Sequence, residues 1–159
     1  MTEIALYQQA ITQLNNNQLE AAESSFIRMT EIQPDLAGPW ANLALVYLKQ
    51  NQKEKAEQNI QIALNKNPNM AQALNLAGYL KNQKGEISDS KSLYEKAIIN
   101  KPDYALAHYN LALIYDIYLQ NIPMAIKYYQ LYLSLIDYKD EKTKDWVEEL
   151  KLNVKGDNS

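Results

Sequence analysis

The sequence predicts an all-α solenoid of antiparallel helix pairs, and three observations predict it. Pro34, Pro68 and Pro102 stand 34 residues apart, each followed by a turn-forming residue, Asp35, Asn69 or Asp103. Small residues recur at the same interval, at Ala10, Ala44, Gly78 and Ala112. Between the prolines, apolar residues return every three or four positions, the spacing of a helix with one buried stripe. A period of this length marks a repeat architecture, in which each unit buries its stripe only by stacking on its neighbours.

Aligned on the prolines, the chain divides into repeats at 3–36, 37–70, 71–104 and 105–139. A capping helix over 140–155 and a frayed tail at 156–159 complete what the length suggests is one domain. Each repeat reads as two helices of about four turns with a tight turn between them. In the second repeat Trp40, Leu43, Ala44 and Tyr47 fall at i, i+3, i+4 and i+7, one face of a helix. Midway through the units stand Asn17, Asn51 and Gly85, residues that tolerate the left-handed conformation ending a helix. On the second helices a further small column holds Ala22, Ala56 and Ser90, and a bulky column holds Phe26, Ile60 and Tyr94. Ala125 and Tyr129 join those columns if the fourth repeat carries one extra residue.

The fourth repeat departs most. Its midway position is Leu119, and "YLQNIPM" delays the turn to about Asn121, after which Pro123 suits the first turn of a helix. Asp137 takes the place of the proline. Beyond it, "EKTKDWVEELKLNV" puts Trp146, Val147, Leu150 and Val154 on one helical face opposite a charged one, as a terminal cap requires. The alternative is that Trp146 belongs to a docking surface.

Bulk properties narrow the function. The 159 residues are 47% hydrophobic and 22% charged, ordinary for a folded protein. No apolar run approaches the ~18 residues of a spanning helix, so direct membrane insertion is not expected. A net charge of −3 argues against the basic footprint that nucleic acid needs. There is no cysteine, and the lone His108 excludes a histidine-rich metal site. His108 shares the column of Trp40 and Leu74, a packing position. The carboxylates scatter over helix surfaces, and "KGE" and "KGD" lack the spacing of a phosphate loop. No catalytic constellation emerges, so the chain is not expected to be an enzyme or to hold a cofactor or metal.

The stretch "WANLALVY" from Trp40 to Tyr47, with Ala56, Ile60, Ala63 and Pro68 at matching offsets, resembles a tetratricopeptide repeat. All four units match to differing degrees, over about residues 3–137. The resemblance implies a right-handed solenoid whose concave groove, lined by the first helix of each pair, binds a peptide or short helix of another protein. It implies that the groove residues are Gln8 in the first repeat and Asn42, Leu45 and Lys49 in the second. In the third they are Asn75, Tyr79 and Asn82, and in the fourth Tyr109, Asn110, Leu113 and Asp116. Asn42 and Asn110 share a column with Gln8, and an amide offers both donor and acceptor to a peptide backbone of any sequence. The subclass that clamps chaperone tails is not matched. Its basic positions fall here on Tyr7, Gln72 and Leu76. With Lys49 and Asp116 nearly balancing, the expected ligand has apolar or aromatic anchors.

Eight of the twelve tyrosines lie between Tyr104 and Tyr138, and tyrosine is enriched at binding surfaces. A second reading is therefore self-association through the ends and the Tyr-rich last repeat. A third, an RNA-binding repeat of the related 35-residue kind, is disfavoured by the acidic balance. High Asn, Lys and Ile usage with one arginine, Arg28, is consistent with an AT-rich bacterial genome. The segment from His108 to Asp137 followed by "DWV" is similar to the ends of small bacterial cell-envelope proteins of this family, which help larger assemblies form. Localisation stays open between cytoplasm, as the sequence is written, and envelope, if a signal peptide was removed.

Overall fold

The computed structural model describes residues 1–157. Among the described residues there are nine α-helices, one π-helical turn and no strand. The chain forms two compact units, Met1–Leu80 and Lys81–Ser159. The boundary falls inside α5 (Ala71–Gln83).

In the first unit, α1 (Glu3–Asn15) pairs with α2 (Leu19–Ile32), and α3 (Ala37–Lys49) with α4 (Lys53–Lys66). Thr2 starts α1 by accepting a hydrogen bond from the Ala5 N–H at 3.1 Å, a side-chain cap for an otherwise unpaired donor. The turns close alike in both pairs. Asn17 and Asn51 adopt φ of 58° and 59°. The following residues, Gln18 and Gln52, donate back to the carbonyls of Gln13 and Tyr47 at 2.8 Å. This six-to-one bond with a left-handed residue before it satisfies carbonyls at the helix end. The small columns do what their size allows: Ala10, Ala22, Ala44 and Ala56 are fully buried, and Phe26 fills the space between α1, α2 and α3. Burying Phe26 alone contributes about 2 kcal/mol.

The second unit contains α6 (Ile87–Asn100), α7 (Ala105–Leu113), the π turn (Ile114–Tyr118), α8 (Ile122–Leu135) and α9 (Glu141–Asp157). Gly85 makes the α5–α6 turn at φ 77°, with Glu86 donating to the Lys81 carbonyl. At the corresponding place in the next pair, Asn121 donates to the Tyr115 carbonyl at 2.9 Å, one residue further along. The π turn absorbs that extra residue, since its wider hydrogen bonds accommodate one more residue per turn. Tyr115 before the insertion and Ala125 and Tyr129 after it are thereby all buried. Gln120, at φ 50°, takes the left-handed position, and Asn121 caps α8 by accepting from the Met124 N–H.

Without a proline, the α8–α9 connection turns through two left-handed residues, Asp137 and Tyr138. Asp140 then caps α9, accepting from the N–H and hydroxyl of Thr143 at 3.0 and 2.8 Å. Val147 and Leu150 are buried in the core of this unit. The helix continues to Asp157, beyond the 155 expected from the sequence, so 156 and 157 are helical and not a frayed tail. The last two residues of that expected tail, 158 and 159, lie outside the described residues.

Candidate functional site

In the first unit the expected binding residues sit on α1, α3 and α5. Gln8 and Lys49 are exposed, Leu45 is half-buried, and Tyr79 is 40% exposed. Asn42 and Asn75 are buried, at 5% and 2% exposure. The Asn42 amide is engaged within the protein. Its Nδ2–H donates to the Tyr7 hydroxyl at 3.0 Å, and its Oδ1 accepts from Gln72 Nε2 at 2.9 Å. Three successive first helices are thus joined by two side-chain bonds. Each such bond contributes about 1 kcal/mol net, and an unpaired partner left behind costs more. Tyr7 is held further by an edge-on contact with Phe26.

In the second unit Asn82, Tyr109, Asn110, Leu113 and Asp116 are half-buried. The Tyr109 ring lies 4.9 Å from that of Tyr132 and 5.9 Å from that of Tyr129. Asp116 Oδ2 accepts from the Tyr129 hydroxyl at 2.8 Å and from Trp146 Nε1–H at 2.7 Å. Burial first, and then the Asp116 carboxylate, push the Tyr129 phenol far above its ordinary value. Burial, aided by Asp140, pushes Tyr132 up to about 12. Asp140 itself is lowered, mainly by the Thr143 backbone N–H that it accepts. On the same helix Val147 and Leu150 are buried, while Trp146 is 40% exposed.

His108 is buried. Its Nε2 lies 2.8 Å from the Pro102 carbonyl, its Nδ1 has no hydrogen-bond partner, and its ring stacks on Tyr128. Among the described residues no three acidic, cysteine or histidine side chains gather as a metal cluster would require. No described helix is long and apolar enough to cross a membrane.

One feature of the first unit was missed by sequence reasoning. A cleft of about 830 Å³ opens where α1 begins, α2 and α4 end and α3 begins, with Tyr7, Leu36, Gly38 and Met70 in its lining. The sequence carries a signal for it. Leu36 and Met70 close successive repeats 34 residues apart, and the same column continues with Tyr104 and Tyr138. Those positions lie off the helical stripes, so periodicity alone does not single them out.

Residues 41–90 match the family model described as tetratricopeptide repeat. No curated protein matches the sequence significantly. Among solved structures, PilF of Pseudomonas aeruginosa superposes with a TM-score of 0.81 at 19% identity, over 97% of this chain and 69% of that one. A thermophilic TPR protein of Thermus thermophilus gives 0.75 at 20% identity, over 96% and 82%. A tetratricopeptide repeat protein of Parabacteroides merdae gives 0.65 at 20% identity, over 95% and 60%. At these identities the likeness is one of fold. The chain thus carries tetratricopeptide repeats, matched in sequence at 41–90, and has over nearly its whole length the all-α solenoid fold of tetratricopeptide-repeat proteins.

Proposed function

We propose that this chain is a protein-interaction scaffold that holds an extended peptide or short helix of a partner on the faces of its first helices. The observation that carries the reading is the 40% exposure of Tyr79 on α5, with half-buried Leu45 and exposed Lys49 on α3, another first helix of the same unit. A large aromatic left at the surface near an aliphatic and a cation is the composition of a peptide anchor site. In this reading Asn42 holds Tyr7 and Gln72 in place instead of bonding the ligand directly. The partner belongs to a larger bacterial envelope assembly, a role suggested by the resemblance of the C-terminal segment. No catalytic step is part of the proposal.

The test is affinity capture from the native organism with wild type and with Lys49→Glu/Tyr79→Ala. Partners lost from the variant, at unchanged melting temperature, define the ligand. An identical set of partners counts against the proposal.

A second reading, self-association, is favoured by Leu135, Tyr138 and Leu152, which are all exposed near the C-terminal end. Light scattering separates the two. A monomer at every concentration removes self-association, and a dimer lost on Tyr138→Asp supports it.

A further inference from the structure

The cleft at the helix ends of the first unit takes Tyr7 and Gln8 from the first-helix face, but Leu45, Lys49 and Tyr79 do not line it. Its volume of about 830 Å³ falls within the range of small-ligand and peptide pockets. The lining is largely apolar. Met29 is buried at its base, and two large aliphatic side chains, Ile4 at 73% and Leu36 at 51% exposure, border the same opening. Exposed apolar residues scattered singly call for no explanation, but these two border the same cleft.

The polar lining defines the ligand. Gln8, Gln33 and Asn67 border the cleft; Gln33 Nε2 donates to Glu3 and Asn67 Oδ1 accepts from the Asn69 N–H, so the Gln8 amide is the one placed to meet both the N–H and the C=O of a peptide backbone. Two carboxylates, Glu3 and Asp35, stand against one cation, Lys66. Lys66 is paired with Asp35 at 3.3 Å. Glu3, in the first turn of α1, accepts a neutral amide bond from Gln33 Nε2 at 2.7 Å and, among the described residues, has no cationic side chain paired with it. The opening carries one net negative charge beside an apolar floor, and electrostatic complementarity calls for a cation on the occupant.

We propose that this cleft docks an extended segment of a partner protein that inserts one bulky apolar side chain and carries a lysine or arginine beside it. The proposal shares Tyr7 and Gln8 with the first-helix reading but differs from it in its anchors, Ile4 and Leu36 instead of Leu45 and Tyr79.

The experiment titrates the full chain with blocked pentapeptides while following its methyl NMR signals. The probes are Lys-Ala-Leu-Ala-Lys, Glu-Ala-Leu-Ala-Glu and Lys-Ala-Ser-Ala-Lys. The first is expected to shift the methyls of Ile4, Leu36 and Met70. The glutamate peptide should bind about threefold more weakly at low salt, the scale of one exposed ion pair. The serine peptide should leave these methyls unmoved. Glu3→Lys should reverse the charge preference, and Leu36→Asp, at an exposed loop position that tolerates it, should abolish the shifts. Equal binding of all three peptides, or shifts that survive Leu36→Asp, would overturn the proposal. Shifts confined to Leu45 and its neighbours would also overturn it, while leaving the first-helix reading intact.

Discussion

Trp40 and His108, two repeats apart, make the same hydrogen bond. Each ring N–H donates to the carbonyl of the proline six residues earlier, Trp40 to Pro34 at 2.9 Å and His108 to Pro102 at 2.8 Å. A carbonyl only accepts, so the histidine proton sits on Nε2 and the buried Nδ1 is left without a partner. Both rings fasten the start of a first helix to the loop before it. The histidine does so with one unsatisfied nitrogen, the tryptophan with none.

That difference predicts opposite responses to the same substitution. Trp40→Phe removes a satisfied bond and should cost about 1 kcal/mol in denaturant unfolding. His108→Phe removes the same bond together with the unpartnered nitrogen, and it keeps a ring against Tyr128. It should be close to neutral or stabilising. Equal losses for the two variants would show that Nδ1 burial carries no cost.

The second unit should weaken in alkali. Tyr132 has its phenol raised from 10.0 to about 12, and Tyr129 is raised further. A group raised on folding contributes stability that is full below its unfolded value and is lost as pH rises. The window runs upward from about pH 10, where the unfolded phenols ionise first. Tyrosinate absorbance should rise together with loss of helicity, and Tyr132→Phe should reduce the steepness. Asp140 acts in the opposite sense. Its lowered value makes the α9 cap fully effective above about pH 4 and lost as pH falls through the folded value. Acid should therefore loosen α9 first, seen as loss of amide protection around Thr143.

The Trp146–Asp116 bond ties α9 to the π turn. Trp146→Phe keeps most of the packing and removes the donor. It should destabilise by about 1 kcal/mol, and the coupling with Asp116→Asn in a double-mutant cycle should be of similar size. Zero coupling would reduce the contact to an exposed pair without energetic weight.

The π turn yields a prediction of its own. Because its extra residue is absorbed in the turn, deleting exposed Leu119 should return the fourth repeat to the 34-residue period with its core intact. The variant should melt within a few degrees of wild type. A collapse of stability would mean that the wide turn is required for packing. Gln120→Gly should stabilise by ~1 kcal/mol, since glycine holds a positive φ without strain.

The repeat columns were legible because close packing of helices leaves one solution at each position. Ala44 and Ala112 are small and fully buried for the same reason, and a 34-residue interval reveals both. The left-handed turns at Asn17, Asn51 and Gly85 were legible because few residues tolerate that backbone. The environment of Asn42 was not. Its partners Tyr7 and Gln72 lie 35 and 30 residues away, and polarity alone does not tell an amide that bonds its own protein from one that bonds a ligand. Asp116 was obscured in the same way, by a tryptophan 30 residues downstream. The cleft beside Leu36 and Met70 escaped because helix ends, not helix faces, build it.

In the proposed function another polypeptide is recognised by side chains that the repeats leave at the surface. The most direct measurement is calorimetric titration of a captured partner's binding segment against wild type, Lys49→Glu/Tyr79→Ala and Leu36→Asp. Loss of at least about tenfold in affinity for the first variant, the scale of a truncated aromatic anchor, with melting unchanged, is the predicted result. Wild-type affinity in both variants would contradict it.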